Sequence, residues 1–311
     1  MVDRFGREIS YLRLSVTERC DLRCRYCMPE GGVCEKELLT QDEMVWAVEA
    51  AAALGVRKLR ITGGEPLVRP DILTIAGRCA AVPGIREVCL TTNGLGLGKL
   101  ARPLREAGVD RVNVSLDTLD RAKYAYMTRR DRLEDALAGL EAALAAGFRQ
   151  VKLNAVLIGG FNDDEIPALA ELTRRRPVDV RFIELMPMGG GFPPGAYLPC
   201  GAVLERLPQL APEGVQGTAR LYRLPGALGR VGLISPVSAH FCARCDRLRL
   251  TADGMLKPCL HGAEEHCVKG LDRAGMAAAL GRAVRAKPAC HAPLSGERPS
   301  AAGRAMHRIG G

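Results

Sequence analysis

Residues 11–29 read YLRLSVTERCDLRCRYCMP, and this stretch decides the fold. A run of β-branched and apolar residues, Tyr11 to Val16, is soon followed by Cys20, Cys24 and Cys27 in the pattern C-x3-C-x2-C. The run is typical of a buried strand, so the cysteines lie in the loop after it. Iron-sulfur clusters are held by thiolates, usually four, and three therefore leave one iron open to a reactant. A structural zinc knuckle is the alternative interpretation of this spacing.

Five further strand-like runs follow, with helical patterns between them. They span Lys58 to Thr62, Glu87 to Thr91, Arg111 to Leu116, Val151 to Leu157, and Val178 to Leu185. The clearest helix covers Gln41 to Leu54, with capping-box spacing between Thr40 and Glu43 and with Gly55 at the C′ position. This alternation predicts an α/β fold with a parallel sheet and right-handed crossovers, either open or curled into a partial barrel.

The alternation weakens after Gly189, where Gly and Pro become frequent. We therefore predict two modules, a strand-helix core over residues 1–232 and a second segment over residues 233–311. The second segment contains more cysteines and a helical stretch from about Gly275 to Ala286.

The composition is that of an ordinary globular chain of 311 residues, 47% hydrophobic and 25% charged. We expect no membrane span and no signal peptide, because charges interrupt the apolar stretches and the first thirty residues. We therefore expect a cytoplasmic protein, in which clustered cysteines are metal ligands or catalysts rather than disulfides. The net charge is +9, but the basic residues are scattered and only 4% of residues are aromatic. An anionic small substrate explains this charge as well as nucleic acid does.

Polar motifs follow the predicted strands one after another. They are Gly63-Gly64-Glu65-Pro66, Thr91-Thr92-Asn93-Gly94, Ser115-Leu116-Asp117 and Met186. Because parallel strands end at one face of the sheet, and that face carries the active site in α/β folds, we expect one shared pocket.

The residues around the first cysteine group resemble the radical S-adenosylmethionine superfamily. The resemblance rests on Arg13 to Pro29, with Tyr26 between the last two cysteines, and on Gly63-Gly64-Glu65-Pro66. It implies an incomplete (β/α)6 barrel of the TIM type, with a [4Fe-4S] cluster on Cys20, Cys24 and Cys27. S-adenosylmethionine would chelate the open iron and be cleaved to a 5′-deoxyadenosyl radical. The residues implied around S-adenosylmethionine are Tyr26, Gly64, Ser115 and Met186.

A second cysteine group, Cys242, Cys245 and Cys259, has the pattern C-x2-C-x13-C. By spacing alone this is a zinc-ribbon half-site that needs one more ligand. The candidates are His240, His261 and Cys267. The segment from His240 to Leu260 is similar to the second-cluster segment of the GTP 3′,8-cyclase family, which begins molybdenum cofactor biosynthesis. That resemblance covers nearly the whole chain and implies a second [4Fe-4S] cluster with an open iron.

Single basic residues stand between apolar neighbours on four of the predicted strands. They are Arg13, Arg60, Lys152 and Arg181. Buried cations are costly unless they are paired, so four on separate strands favour an internal anion. Together with Arg247 and Arg249 they are suited to a triphosphate, and no Walker-type glycine loop is present.

The resemblance to the GTP 3′,8-cyclase family also implies a substrate and a reaction. The positions similar to GTP contacts are Arg13, Arg60, Thr91, Lys152, Arg181, Arg247 and Arg249. The radical would take hydrogen from the ribose 3′ carbon, and attack on guanine carbon 8 would give 3′,8-cyclo-7,8-dihydro-GTP. Arg247 and Arg249 would neutralise phosphate charge, and the second cluster would bind the guanine. Asp246 stands where the family usually has asparagine.

The family resemblance extends to partners and to the carboxyl terminus. It implies an electron donor of the flavodoxin or ferredoxin type and a downstream cyclic pyranopterin monophosphate synthase, for an enzyme that is a monomer or a homodimer. The final Gly310-Gly311 pair resembles a family tail that reaches into the active site. Two alternatives remain open, a peptide-modifying radical enzyme with an auxiliary cluster and a basic zinc-ribbon nucleic-acid binder. The remaining cysteines are expected to be buried hydrophobes or surface thiols.

Overall fold

The computed structural model describes residues 1–28, 37–188 and 195–310, so Pro29, Cys34, Gly189 and Gly311 lie outside the described residues. Its first half alternates strands and helices as the sequence predicts. The strands are β1 (Tyr11–Ser15), β2 (Lys58–Thr62), β3 (Glu87–Thr92), β4 (Arg111–Ser115), β5 (Gln150–Leu157) and β6 (Val178–Glu184). The helices are α1 (Gln41–Ala53), α2 (Ile72–Ala80), α3 (Leu97–Glu106), α4 (Arg121–Thr128), α5 (Leu133–Ala145) and α6 (Ile166–Arg175).

The start of α1 confirms the predicted capping box. The Thr40 hydroxyl accepts from the Glu43 amide at 3.2 Å, and the Glu43 carboxylate accepts from the Thr40 amide at 2.8 Å. Gly55, which follows the helix, has a φ of +106° that favours glycine. Local chemistry in the sequence therefore fixes both ends of this helix.

The second half contains elements that the sequence analysis does not predict. They are α7 (Gly201–Arg206), β7 (Ala211–Gln216), β8 (Ala219–Arg223), β9 (Val231–Ile234), β10 (Arg247–Leu250), β11 (Met255–Lys257) and β12 (His266–Cys267). The last helix, α8 (Arg273–Ala286), confirms the helical stretch predicted from about Gly275 to Ala286. These strands are short, and β7 contains Pro212 and Gly214, which a strand tolerates at the edge of a sheet. Their hydrophobic periodicity is too brief to recognise, so the count of six strands was wrong for the whole chain.

All twelve strands of the described residues form one sheet in the order β12-β11-β10-β1-β2-β3-β4-β5-β6-β9-β8-β7. The pairs from β10 through β1 to β6 and β9 are parallel, and antiparallel strands extend both ends. Arg247 on β10 nevertheless donates to the Thr218 hydroxyl, between β7 and β8, at 3.1 Å. The two ends of the sheet therefore approach each other across its concave face, which confirms the incomplete barrel.

The two faces of the curved sheet differ in polarity. On β1, Leu12 and Leu14 are fully buried in the apolar core shared with the helices, whereas Tyr11 and Arg13 line the concave side. Along the other central strands, side chains that line the concave side likewise alternate with side chains in the apolar core, since successive side chains of a strand point to opposite faces. The concave face is thus free to hold a polar site.

The predicted boundary at residue 232 falls inside β9, so the sheet itself marks no division there. The two-module division therefore stays a prediction. No helix within the described part of the chain is long and apolar enough to cross a membrane.

Candidate active site

One cavity on the concave face gathers the motifs that follow the strands. Both cysteine groups line it, and so do most of the predicted ligand-contacting residues. The predicted residues in its lining are Cys20, Cys24, Cys27, Cys242, Cys245, Cys259, Tyr26, Gly64, Ser115, Met186, Arg13, Arg60, Thr91, Arg181, Arg247 and Arg249. The shared pocket expected from the strand ends is therefore present.

The loop that carries the first cysteines is held by the end of α4 and by its own turn. The Arg23 amide donates to the Thr128 carbonyl at 2.9 Å, and the Cys27 amide donates to the Cys24 carbonyl at 3.0 Å. These bonds fold the loop so that all three thiols border the same space.

Gly64 is required by a close backbone approach to this cysteine loop. Its amide donates to the Thr17 carbonyl at 2.8 Å, and the next amide, of Glu65, donates to the Arg19 carbonyl at 2.8 Å. A Cβ placed on Gly64 would lie 2.4 Å from the Arg19 carbonyl oxygen, a distance that no side chain accommodates. The glycine motif therefore positions the cysteine loop, in addition to any contact with a ligand.

Glu65 joins the motifs that follow β2 and β3. Its carboxylate accepts from the Thr92 hydroxyl at 2.8 Å, the Asn93 amide at 2.6 Å and the Leu67 amide at 2.9 Å. The Asn93 side chain in turn donates to Asp21, beside Cys20, at 2.6 Å. Burial raises the pKa of Glu65 to about 7, although these hydrogen bonds oppose the shift.

A second carboxylate, the half-buried Asp117, follows β4. It accepts from the Tyr26 hydroxyl at 2.8 Å and from the Val156 amide at 2.8 Å, and burial raises its pKa to about 6. Asp117 thus orients Tyr26 against the first cysteine loop. Glu65, Asn93 and Asp117 were not among the predicted site residues, although each belongs to a motif that the sequence analysis identified.

The thiols of the first group are poor ligands until a cation joins them. Burial raises the pKa of Cys20 and of Cys27 to about 12, and it raises that of Cys24 as well. A metal centre supplies the positive charge that makes buried thiolates favourable. Three thiols facing one cavity therefore fit a cluster with one open iron.

The other end of the cavity is lined by guanidinium groups. Arg13 is paired in register with Arg60 on one side and with Arg249 on the other, and all three side chains are buried. Burial, followed by the charge of Arg247, lowers the pKa of Arg249 to about 10. Burial likewise lowers the pKa of Arg181 to about 10. Such crowding of like charges is favourable only when an anion is bound.

Lys152 does not line the cavity, in contrast to the other predicted GTP contacts. Lys152 is 1% exposed, and its amino group donates to the side-chain amide oxygen of Gln216 at 2.9 Å. The same oxygen accepts from Arg181 at 2.8 Å, so Lys152 lies behind Arg181. Burial, followed by the charges of Arg181 and Arg111, lowers the pKa of Lys152 to about 5. A direct contact with GTP therefore stays a prediction.

The second cysteine group sits beside β1 because β10 pairs with that strand. Cys242 begins a 3₁₀ turn, and Cys259 follows β11. The Lys287 amino group donates to the carbonyls of Arg247 and Pro258, each at 2.8 Å, and so ties β10 to the Cys259 segment. Cys267 is exposed on β12 and outside the cavity lining, so the structure does not bring this candidate zinc ligand to the group.

The chain matches two family descriptions in succession. Residues 14–173 match the Radical SAM superfamily, and residues 178–293 match Molybdenum Cofactor Synthesis C. The GTP 3′,8-cyclase of Moorella thermoacetica is 48% identical over 100% of both chains, and that of Pelotomaculum thermopropionicum is also 48% identical over 100% of both. The chain belongs to the GTP 3′,8-cyclase family.

Structural similarity supports the fold of this GTP 3′,8-cyclase family member independently. The crystal structure of Streptococcus suis SuiB bound to S-adenosylmethionine has a TM-score of 0.64 at 15% identity. The match covers 86% of this chain and 64% of SuiB. At that identity the likeness shows the fold alone.

The carboxyl-terminal tail of this family member enters the basic end of the cavity. The Gly310 carbonyl accepts from Arg13 at 2.6 Å and from the Thr62 hydroxyl at 3.2 Å. A Cβ on Gly310 would lie 2.6 Å from the Thr62 methyl group, and φ there is +75°. Glycine is therefore required both by conformation and by space.

Asp246, where the resemblance implies asparagine, does not line the cavity. Its carboxylate accepts from the Ser10 hydroxyl at 3.3 Å, and its carbonyl accepts from the Ser10 and Tyr11 amides. The substitution therefore lies at the junction of β10 with β1. Its negative charge is 3.9 Å from Arg247 and partly exposed.

Proposed function

We infer that the chain is a GTP 3′,8-cyclase that catalyses the first step of molybdenum cofactor biosynthesis with S-adenosylmethionine and iron-sulfur clusters. The observation that carries this conclusion in the structure is the cavity itself. It joins two cysteine triads, with the carboxylates of Glu65 and Asp117 near the first and guanidinium groups near the second. The reaction converts GTP to 3′,8-cyclo-7,8-dihydro-GTP.

The residues at the first triad hold S-adenosylmethionine and keep the site dry. When bound, the cluster and this cofactor supply a 5′-deoxyadenosyl radical for hydrogen abstraction from the ribose 3′ carbon. Tyr26, Gly64, Ser115 and Met186 border the space around the triad. The side-chain oxygens of Asn113 and Asn154 are buried without a hydrogen-bond partner and face the same cavity. They provide acceptors for ligand hydroxyl or amino groups.

The residues at the second triad hold GTP. The Nε atoms of Arg181 and Arg247 are buried without a hydrogen-bond partner in the described structure, and both side chains line the cavity. Guanidinium donors of this kind bind phosphate oxygens in a fixed fork geometry. Arg13, Arg60 and Arg249 add positive charge that neutralises the triphosphate, and Thr91 adds a hydroxyl. With the phosphates fixed, the ribose is directed toward the first triad.

Cys242, Cys245 and Cys259 hold the second [4Fe-4S] cluster. Among the described residues, one group of three potential metal ligands has all its ligand atoms within 4.8 Å of one another, and it consists of His240, Cys242 and His291. The sulfur atoms of neither cysteine triad lie that close together. Two ligands of one tetrahedral zinc ion lie about 3.5 Å apart, so the spacing favours a cluster over one ion. A cluster on these three cysteines would leave one iron without a thiolate, which would supply a coordination position for the guanine of GTP.

Two partners complete the proposed reaction. A flavodoxin or ferredoxin type of protein supplies the electron, and a cyclic pyranopterin monophosphate synthase consumes the product. We place the enzyme in the cytoplasm, because all eleven cysteines of the described residues are free thiols.

The test is anaerobic reconstitution, followed by iron and sulfide counting and by incubation with dithionite, S-adenosylmethionine and GTP. We expect about eight irons per chain and 5′-deoxyadenosine that forms only with GTP. About four irons together with zinc, or deoxyadenosine formation indifferent to GTP, would contradict the proposed substrate.

A further inference from the structure

The loop of the first cysteine triad presents alternate side chains to the cavity and to the outside. Leu22, Cys24 and Tyr26 line the cavity, whereas Arg23 and Arg25, which stand between them in the chain, do not. Arg25 is exposed to solvent, and Arg23 is partly exposed. The outer side of this loop is therefore basic.

The end of α4 extends the outer side of the loop. The Arg25 amide donates to the Met127 carbonyl at 3.0 Å, so the two segments run side by side. Arg130 follows α4 and is also exposed. The surface made by the two segments is called the loop patch, and it consists of Arg23, Arg25, Tyr126 and Arg130.

The exposed guanidinium groups of the loop patch are held by backbone carbonyls. Arg25 donates to the Tyr126 carbonyl at 2.8 Å, and Arg130 donates to the Arg129 carbonyl at 2.9 Å. In the part of the chain that the structure describes, neither Arg25 nor Arg130 forms an ion pair with a carboxylate. Their positive charge is therefore fixed in place without being neutralised.

Two acidic side chains stand close to the loop patch in the chain. Asp131 is bound by Arg121 at 2.8 Å, so its charge is already compensated. Asp21 is exposed and accepts from the Asn93 side chain at 2.6 Å. One carboxylate beside three guanidinium groups leaves the surface positive.

An exposed aromatic ring lies within this basic surface. Tyr126 is 55% exposed, and the Arg25 guanidinium lies 4.1 Å from the centre of its ring. The Phe161 ring is 6.0 Å from that of Tyr126. Tyrosine and arginine are enriched among the residues that contribute most to protein interfaces, and a stacked arginine loses less freedom when a partner binds. The surface is thus suited to an acidic protein.

The position of the loop patch indicates what such a protein would do. The thiols of the first triad face the cavity, which the ligands occupy, so the shortest route for an electron into the first cluster runs through the loop. The carboxyl-terminal tail covers another part of this loop, since His307 Nδ1 lies 3.2 Å from the Cys27 carbonyl oxygen and Arg308 pairs with Glu18 at 3.2 Å. The loop patch is exposed, and two of its arginines flank Cys24 in the chain.

We propose that the loop patch is the docking surface for an acidic electron-carrier protein that reduces the first cluster. This inference rests on the proposed function, because it requires the cluster on Cys20, Cys24 and Cys27. One electron passes at each encounter. A flavin hydroquinone anion in the carrier becomes the neutral semiquinone, and the [4Fe-4S]²⁺ cluster becomes [4Fe-4S]⁺. Carboxylates around the carrier's cofactor face the arginines, and this complementarity speeds the encounter.

The test compares two double charge reversals of equal size in the reconstituted full-length enzyme. Arg25→Glu with Arg130→Glu alters the loop patch, and Arg282→Glu with Arg285→Glu makes the same change on two exposed arginines of α8. The rate of 5′-deoxyadenosine formation is measured with S-adenosylmethionine and GTP, using either photoreduced bacterial flavodoxin or dithionite. We expect the patch variant to lose about 10- to 100-fold with flavodoxin at low salt. With dithionite it should match the unaltered enzyme, because dithionite needs no docking surface.

The control and the salt dependence complete this comparison. The α8 variant should keep both rates. At about 1 M salt the flavodoxin rate of the unaltered enzyme should fall toward that of the patch variant, because the Debye length shortens to about 3 Å. Equal flavodoxin rates of the two variants would overturn the proposal. A patch variant that loses its dithionite rate to the same extent would also overturn it, since the arginines would then support the cluster loop itself.

Cross-linking locates the partner without reversing any charge. Arg25→Lys with Arg130→Lys keeps the basic surface and supplies amines that a carbodiimide joins to carboxylates in direct contact. We expect flavodoxin to be coupled to these two lysines, as shown by mass spectrometry of the linked peptides. Arg282→Lys with Arg285→Lys is the matched control and should give no link at α8. Links that avoid the two lysines of the loop patch would overturn the proposal.

The choice of reductant separates failure of this inference from failure of the proposed function. Cross-linking depends neither on GTP nor on radical formation, so it tests docking by itself. If dithionite gives no GTP-dependent 5′-deoxyadenosine, the proposed function is contradicted while the docking surface can still be located. If dithionite supports the reaction and the patch variant is reduced by flavodoxin at the normal rate, this inference alone is overturned.

Discussion

The two ends of the cavity carry ionisable groups of opposite type, carboxyl groups at one and guanidinium groups at the other, and the difference follows their ligands. The charged side chains that line the cavity near the first triad are carboxylates, the buried Glu65 and the half-buried Asp117, whereas those beside the second are guanidiniums such as Arg13 and Arg249. S-adenosylmethionine carries a sulfonium and an amino group, and GTP carries a triphosphate. In a low-dielectric cavity this arrangement of charged groups directs each ligand to its own end. A ligand bound at the other end would place its charge next to groups of the same sign.

The ends also differ in how they are built. The first triad lies in one loop, positioned by the close approach of Gly64 to its backbone. The second depends on β10 adding to β1 and on Lys287 tying separate segments together. A substitution at the first end should therefore disturb that loop alone and abolish cleavage of S-adenosylmethionine. A substitution at the second end should instead alter the use of GTP.

The largest expected effect comes from removing one ligand at each end. Cys24→Ala should abolish 5′-deoxyadenosine formation and reduce iron from about eight to about four per chain, because the first cluster loses a ligand. Cys245→Ala should lose the same amount of iron but keep the first triad. Iron analysis and chromatography of the nucleoside measure both, and Cys267→Ala is the control. Deoxyadenosine made by the Cys24 variant would refute the assignment of the first cluster.

A methyl group on Gly64 tests whether the backbone approach positions the first end. Gly64→Ala should lower deoxyadenosine formation by about 100-fold, the effect of a displacement of about 1 Å in an active site. Gly98→Ala is the matched control, because a Cβ there meets nothing within 4 Å. That control should be stabilised by about 0.5–1 kcal/mol, since Gly98 lies in α3. Equal activities of the two variants would contradict this role of Gly64.

At the basic end, Arg249→Ala should lower kcat/KM for GTP by about 10- to 100-fold, the value of a charge-assisted hydrogen bond. The affinity for S-adenosylmethionine should change little, because the first end keeps its carboxylates. Steady-state kinetics with each ligand varied in turn separate the two effects. Arg102→Ala removes an exposed arginine of α3 and serves as the control. An equal loss of affinity for both ligands would mean that the ends are not independent.

The first half of the fold was predictable because its signals are local. Tyr11 to Val16 and its five successors alternate regularly, and the capping box at Thr40 and Glu43 is visible in four residues. The strands β7 to β12 were missed because each is short and is stabilised by pairing with a distant strand. β10 provides the example, since its partner β1 lies more than two hundred residues earlier.

The site was predictable where the residue types and spacing of a motif indicate a particular chemistry. The cysteine spacings and the basic residues of the strands predicted which side chains form the site. Of the six triad cysteines and these basic residues, all except Lys152 line one cavity. Glu65 and Asp117 were overlooked as site residues because an acidic residue after a strand is common, and burial becomes evident only in the fold.

The smallest expected effect concerns Lys152, which does not line the cavity. It tests whether the electrostatic effect of a bound triphosphate extends to side chains behind the cavity wall. With a pKa of about 5, Lys152 is neutral at pH 7 before GTP binds. A triphosphate beside Arg181 should raise that pKa, so binding should take up a proton, at most about one, and affinity should fall as pH rises. Calorimetry at one pH in two buffers of different ionisation enthalpy measures this uptake. In Lys152→Met the number of protons taken up on GTP binding should fall to what GTP and the arginines contribute. An unchanged number would show that the triphosphate does not alter the pKa of Lys152.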